Sequence, residues 1–380
     1  MDFGLSTEQR ALRERYRSLG AEHWGSGGPA VTECPHQDES WRLLGESGFL
    51  GLCAPRDLGG SGLGALDTVM AVEGFGEGCA NTGLGFAACA HLFAVVRPIV
   101  EMGSDQMKRE LVPRMVSGEL VGANAITEEE AGSDVYALQM TAELQGDTYI
   151  LNGQKSYVTN GPESDVVVVY ATTNPAHGYM GVTGFAVDCD QDGIHAGESM
   201  RRPGMRGASA GIMTFDNVAV PASRRLGEEG QGGYIFARSM AWERGCLFGL
   251  YVGMMQRQLD QSIAFARKRK QFRKKIGKFQ AISHRIADMK MRLESARLLL
   301  YRACWLHDTG ADATMDISLS KLAISESAIK SSLDMIQIHG SRGYMSDSGI
   351  DQGLRDALPS TMFSGTSEIH RNLIAQRLGL

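Results

Sequence analysis

The sequence predicts an α+β fold, mostly α, in which a β-rich segment lies between two helical ones. Three observations carry this. Apolar residues recur at helical spacing up to about residue 118, short strand-like runs replace them from about 119 to 225, and helical spacing then returns. No internal repeat or low-complexity linker interrupts the 380 residues. Residues 1–118, 119–225 and 226–380 are therefore expected to form three packed domains of one unit.

The first segment opens with Ser6 and Gln9, the pair of a capping box, and "SWRLLGESGFLGL" and "QMKRELVPRMVSG" then place apolar side chains at helical intervals. In the middle segment "YIL", "DVVVVYATT", "TGFAVD" and "IMTFDNVAV" read as strands bounded by turn signals. Asn152-Gly153 is one of these signals, so "LNGQKSYVTNG" is expected to be a hairpin whose second arm ends in Tyr157, Thr159 and Asn160. In the last segment Ile286, Met289, Leu293, Ala296 and Leu300 alternate steps of three and four, the seam of a helical bundle. "SGTS" at 364–367 breaks that helical run, because glycine costs backbone entropy and short hydroxyls compete for backbone hydrogen bonds. Such a break fits a turn, or a loop whose hydroxyls and free N–H groups face a polar ligand.

Composition narrows the function classes. With 43% hydrophobic residues and 22% charged ones, the chain can bury cores of ordinary size. A net charge of −6 argues against a nucleic-acid binder. The seven cysteines, Cys34, Cys53, Cys79, Cys89, Cys189, Cys246 and Cys304, form no CxxC pair, which fits reduced thiols and no metal site. The mixed charges of the first residues do not read as a signal peptide, and no stretch is expected to approach a membrane span, so a cytoplasmic protein with no membrane partner is expected. Against this acidic background "RKRKQFRKKIGKFQ" (267–280) holds eight basic side chains in fourteen positions, which points to a phosphate-bearing partner.

In their order and separation, "GFLGLCAPRDLGGSG", "ITEEEAGSD", "LNGQKSYVTNG", "RKQF" with Gln280, "IADM", "QIHGSRGY" and "SGTSEIHR" resemble the acyl-CoA dehydrogenase family over essentially the whole chain. The resemblance implies an N-terminal α-helical domain, a middle β domain and a C-terminal four-helix bundle, assembled as a dimer or tetramer, with FAD as cofactor. It implies that Ile126 and Thr127 meet the pyrimidine side of the flavin ring, that Tyr157 packs near the ring and that the Thr159 hydroxyl reaches N5. Arg269, Gln271 and Gln280 of a neighbouring subunit would meet the pyrophosphate and adenosine, with Gln337, Gly340 and Ser341 nearby and Thr366 and Glu368 closing the site.

The family's reaction removes two hydrogens across Cα and Cβ of an acyl thioester, with a carboxylate taking the α proton. In much of the family that base is a glutamate directly before the Gly-Thr-Ser loop, where this chain has Ser364. Glu243, in "SMAWERGCLFGLYVG", matches the position from which the isovaleryl-CoA type supplies its base from a helix, and it is the expected catalytic residue. Arg244, Ser133 and Ser364 are expected at the substrate. Other departures bear on the substrate: Ala241 stands where some members hold pantetheine with an aspartate, while Arg273 and Ser341 each replace a usual glycine. Serine before Gly-Thr together with a helix-borne glutamate resembles the branch that desaturates acyl or aminoacyl groups on carrier proteins in secondary metabolism. Carrier proteins are acidic and would suit the basic run. The expected substrate is thus a small acyl or aminoacyl thioester of a carrier protein or CoA, with an electron-transfer flavoprotein or oxygen as acceptor. A flavin oxidase of the same fold, or a catalytically silent flavoprotein, are the alternatives.

Overall fold

The computed structural model describes residues 4–25 and 39–380. Cys34 and Met1–Phe3, which entered the reading of thiols and N-terminus above, lie outside them. The first helix, Thr7–Trp24, starts as expected: Gln9 donates its N–H to Ser6 Oγ at 3.1 Å and Ser6 donates its N–H to Gln9 Oε1 at 3.0 Å. Helices Ala65–Gly78, Thr82–His91 and Arg97–Met102 form the buried centre of this helical region, the last two joined through a π-helical turn at Leu92–Val96. The expectation that no stretch approaches a membrane span is not met. Thr82–Met102 is a continuous helical run of 21 residues with a mean hydropathy of 1.7, long and apolar enough by length and composition. Most of it is buried inside the protein, as a helix apolar on every side must be when it forms a core.

The middle region is an eight-stranded sheet: β1 (Gly122–Ala125), β2 (Thr141–Gln145), β3 (Thr148–Thr159), β4 (Val166–Thr172), β5 (Val182–Asp188), β6 (Ile194–Ala196), β7 (Ala210–Pro221) and β8 (Arg225–Leu226). Its order is β6-β7-β3-β2-β4-β5-β8, with β1 parallel to β4 off this path. β4 is buried along its whole length. Its alternating side chains serve two cores: Val166, Val168 and Tyr170 join the helical core, and Val167, Val169 and Ala171 fill the interior of the sheet region. Asn160, at φ 62°, ties this layer to the helices by donating its buried amide to the carbonyls of Ala87 and Gly122.

The expected hairpin at Asn152-Gly153 is a correction. β3 runs through both residues, and the turn between β2 and β3 falls at Gly146-Asp147, where Gly146 has φ 68°. Asn152-Gly153 instead marks a bulge against β7, with the register shifting between Leu151 and Gly153. Asn152 spends its side chain across the sheet, where Asn217 donates its N–H to Asn152 Oδ1 at 2.8 Å.

The last region returns to helices: Gly232–Trp242, a π-helical turn Glu243–Leu247, Gly249–Lys268, Gln280–Asp308, Thr314–His339 and the final Ser367–Arg377. Met289, Leu293, Ala296 and Leu300 are buried on the predicted seam and Ile286 packs at its edge. Glu73, wholly buried on helix Ala65–Gly78, joins this bundle to the N-terminal helices. It pairs with Arg13 at 3.1 Å and Arg297 at 3.0 Å, and accepts from the Tyr301 hydroxyl at 2.6 Å.

The bulge yields a test. Gly153 has φ 147°, and a Cβ there would sit 2.8 Å from the Met140 backbone. Gly153→Ala is expected to destabilise the protein by about 2 kcal/mol or more, read from the urea midpoint, since both backbone conformation and space oppose the methyl.

Candidate active site

Glu243 begins the π-helical turn, which is wider than an α-helical one and recurs at functional positions. The residue is 8% exposed. Burial raises its carboxyl above the usual range; a hydrogen bond from Ser364 and the nearby charges of Arg244 and Lys321 act against that shift. Ser364 Oγ donates to Glu243 Oε1, leaving Oε2 without a hydrogen bond among the described residues. A carboxylate that is dry, raised in pKa and half free is equipped to accept a proton from carbon.

The Ser364 loop is held by basic side chains that meet its backbone carbonyls. Arg244 donates Nε–H to the Ser364 carbonyl at 2.7 Å, Lys321 donates to the Gly365 carbonyl at 2.6 Å, and His370 Nε2 lies 3.2 Å from the Ser364 carbonyl. Burial lowers Lys321 to about 7 and His370 to about 3, and the charge of Arg244 adds to both shifts; His370 is therefore neutral. Ser364 and Gly365 both take positive φ, 55° and 96°. A Cβ on Gly365 would come within 3.2 Å of His370 Nε2, so glycine serves both conformation and space. Before the loop, Phe363 anchors it by packing on Phe86, Phe248 and Tyr251.

The β domain supplies a second, more open surface. Ile126 is buried and Thr127 half-buried just after β1, and Ser156 donates its N–H to the Thr127 carbonyl at 2.8 Å. A bulge between Lys155 and Val158 turns Tyr157 outward, at φ 58° and 64% exposed. For an aromatic residue this is a strained and solvated position, of the kind that persists where function requires it. The Thr159 hydroxyl has no partner among the described residues. Beneath this surface Lys155 is fully buried and reaches Glu128 Oε1 at 2.7 Å and the Ile126 carbonyl at 3.0 Å. Burial pulls Lys155 down to about 8, against the opposing charge of Glu128. Glu128 in turn accepts the N–H groups of Gln139 and Met140. Ser133 lies exposed on the loop that this pair fixes, and Tyr136 of the same loop packs edge-on to Tyr179.

The structure thus brings Glu243, Arg244 and Ser364 together, and Ile126 and Thr127 beside the Tyr157 strand. Thr366 caps the final helix, its hydroxyl accepting the Ile369 N–H at 3.3 Å, and Glu368 is exposed on that helix's first turn. Arg269, Gln271 and Gln280 stand exposed on and beside a two-stranded hairpin, Lys270–Gln271 and Lys274–Lys275. Gln337, Gly340 and Ser341 are exposed at the end of helix Thr314–His339. No hydrogen bond or ion pair among the described residues joins either group to Glu243 or Tyr157. The two glycine replacements differ. Arg273 sits at φ 63°, where glycine is the unstrained choice, whereas Ser341 does not take positive φ. Lys155, Glu128, Lys321 and His370 were not singled out by sequence reasoning. Lys321 had a signal, since it falls on the buried stripe Ile317, Lys321, Ile324 and Ala328, and a charge there needs a partner.

Family models for the acyl-CoA dehydrogenase N-terminal, middle and C-terminal domains match residues 6–119, 123–218 and 230–379. Over 381 aligned residues, covering all of both chains, the protein is 51% identical to one of Pseudomonas fluorescens named L-prolyl-(peptidyl-carrier protein) dehydrogenase. A solved structure described as PigA with FAD and proline superposes with a TM-score of 0.95 at 42% identity, covering 100% of each chain. Another, described as the prolyl acyl carrier protein oxidase AnaB, gives 0.95 at 38% identity, covering 99% of this chain and 100% of that one.

Removing the Lys155 ammonium strands the Glu128 carboxylate in the interior. Lys155→Met is expected to cost about 3–5 kcal/mol in stability, measured by urea unfolding, as for other broken buried pairs.

Proposed function

This chain belongs to the acyl-CoA dehydrogenase family, and from that premise we propose that it desaturates a small aminoacyl thioester held on a carrier protein, using FAD. The observation that carries the proposal is Glu243, a buried carboxylate with raised pKa and one oxygen free, in a chain that has serine where much of the family has its base. Glu243 Oε2 takes the α proton. The prolyl group and carrier protein in the names of the relatives support a small cyclic aminoacyl substrate.

The residues present fit a flavin. Tyr157 offers a solvated aromatic face on a bulged strand, the Thr159 hydroxyl is unengaged, and the backbone at Ile126 and Thr127 is held rigidly beside them by Lys155 and Ser156. When bound, FAD supplies the hydride acceptor for the hydrogen leaving Cβ. The exposed Arg269, Gln271, Gln280, Gln337 and Ser341 make no side-chain hydrogen bond or ion pair among the described residues; with Gly340 they fit the diphosphate and adenosine of a cofactor in a neighbouring subunit of a dimer or tetramer. A cytoplasmic setting belongs to the same reading, supported by six free thiols among the described residues.

Direct use of oxygen is a second reading, favoured by the description of AnaB as an oxidase. Turnover in air with no electron-transfer partner distinguishes it from a dehydrogenase, and a bound flavin that no thioester bleaches would indicate a silent flavoprotein.

Two outcomes are expected. In anaerobic bleaching of the flavin against a panel of CoA and carrier-protein thioesters, Glu243→Gln retains FAD but slows reduction by about 100-fold to 10,000-fold; near-normal bleaching would remove Glu243 as the base. Among the described residues none of Arg267, Lys268, Lys270, Arg273, Lys274, Lys275 and Lys278 is in an ion pair, which leaves them for an acidic carrier. Lys274→Glu with Lys275→Glu is expected to lower kcat/KM for a prolyl carrier protein and to flatten its salt dependence, exposed charges acting over about 10 Å at moderate ionic strength. An unchanged salt series would move docking elsewhere.

A further inference from the structure

We propose that Ser364 is the positioning residue for the base: its hydroxyl holds Glu243 Oε1 and thereby turns Oε2 to the substrate. This rests on the reading of Glu243 as the base. The hydroxyl is not one of several donors to that carboxylate. Among the described residues Ser364 is the one hydrogen-bond donor to the Glu243 carboxylate, although two cations lie close by. Those cations are engaged by the loop itself, Arg244 with the Ser364 carbonyl and Lys321 with the Gly365 carbonyl. They clamp the backbone that presents the hydroxyl. Ser364 also stands at φ 55°, a conformation serine adopts at a cost, and the loop accepts that cost with Phe363 locked on one side and the Thr366 cap on the other.

The arrangement separates two requirements that conflict at a single carboxylate. A rotating carboxylate samples poses that miss the α proton, while one locked by an ion pair is a poor base. One neutral hydroxyl fixes the orientation and stabilises the ionised form without neutralising it. The groups whose charge faces Glu243 come from several elements: Arg244 on its own turn, Lys321 on helix Thr314–His339, Cys89 on helix Thr82–His91 and Tyr170 on β4. Tyr136 faces Arg244 from the loop, and His370 faces Arg244 and Lys321 from the last helix. Glu73, on the packed helix Ala65–Gly78, is committed to Arg13, Arg297 and Tyr301. Cys304 and His307, on helix Gln280–Asp308, face Cys246 and Trp242. Of these, only Arg244 and Lys321 act on Glu243 as cations.

The test is the pH profile of kcat/KM for a prolyl carrier protein, or for whichever thioester of the panel bleaches the flavin, in three proteins. Without the hydroxyl the ionised carboxylate loses its one stabilising hydrogen bond, so its pKa rises and activity falls at higher pH on the acid side. Ser364→Ala is expected to move the acid limb upward by about one pH unit or more, the size of a lost hydrogen bond to a charged group. Ser364→Gly relieves the positive φ and should fold at least as well as the parent, yet it must show the same shift; it keeps the test intact should the alanine variant fold poorly. A role confined to the loop's structure predicts the opposite, a glycine variant whose acid limb coincides with the parent's, and that result overturns the proposal. Glu243→Gln separates the two levels. If it still bleaches the flavin, the base assignment fails; if it is silent while both Ser364 variants keep the parent profile, only the role of Ser364 fails.

Discussion

Keeping one carboxylate out of water without pairing it directly to a cation is the constraint on which the proposed site depends. Burial alone favours the protonated form, and a close ion pair would favour the charged form so strongly that no proton could be taken. The structure resolves this by distance and by occupation. Arg244 and Lys321 are near enough for their fields to reach Glu243, but each donates to a carbonyl of the 364–365 loop rather than to the carboxylate. Their charge is felt and their hydrogen bonds are used elsewhere. The π-helical turn contributes by placing the adjacent residues 243 and 244 on a widened backbone, so that one side chain enters the interior while the other grips the loop.

The same division of labour appears at the scale of domains. The bundle brings Glu243, and the sheet brings the Tyr157 surface. A small set of buried polar ties fixes one relative to the other: Asn160 to two carbonyls, His91 accepting the Gly122 N–H at 2.9 Å, and Glu73 between three helices. Such ties are directional where apolar packing is not, and they set register between layers that could otherwise slide. β4 carries this furthest, since its alternate residues belong to two different cores and neither can shift without the other.

Much of this was legible in the chain. Period changes marked the three regions, the Ser6–Gln9 box marked the first helix, and the seam through Leu293 and Leu300 marked the bundle, because each is written in short-range spacing. Glu243 and Arg244 were singled out through a family pattern, and the structure places them beside Ser364. What escaped was written in long-range contacts. Asn152-Gly153 has the composition of a turn, and only the approach of Met140 and the pairing with Asn217 make it a bulge. The apolar run from Thr82 to Met102 was passed over, and its meaning lies in the helices that cover it. Lys155 with Glu128 is separated by 27 residues and Lys321 with Gly365 by 44, distances over which no local pattern signals a partner.

The hydroxyl of Ser364 touches the carboxylate of Glu243, and this contact limits what else position 364 could hold. A glutamate at 364 would bring a second acid to the same small volume, where two like charges cannot both persist and one must hold a proton. On the proposed reading of Glu243, the loop and the helix are therefore alternative seats for a single base. A variant that moved the acid from one seat to the other would pass through a form with none, or through a pair sharing one proton.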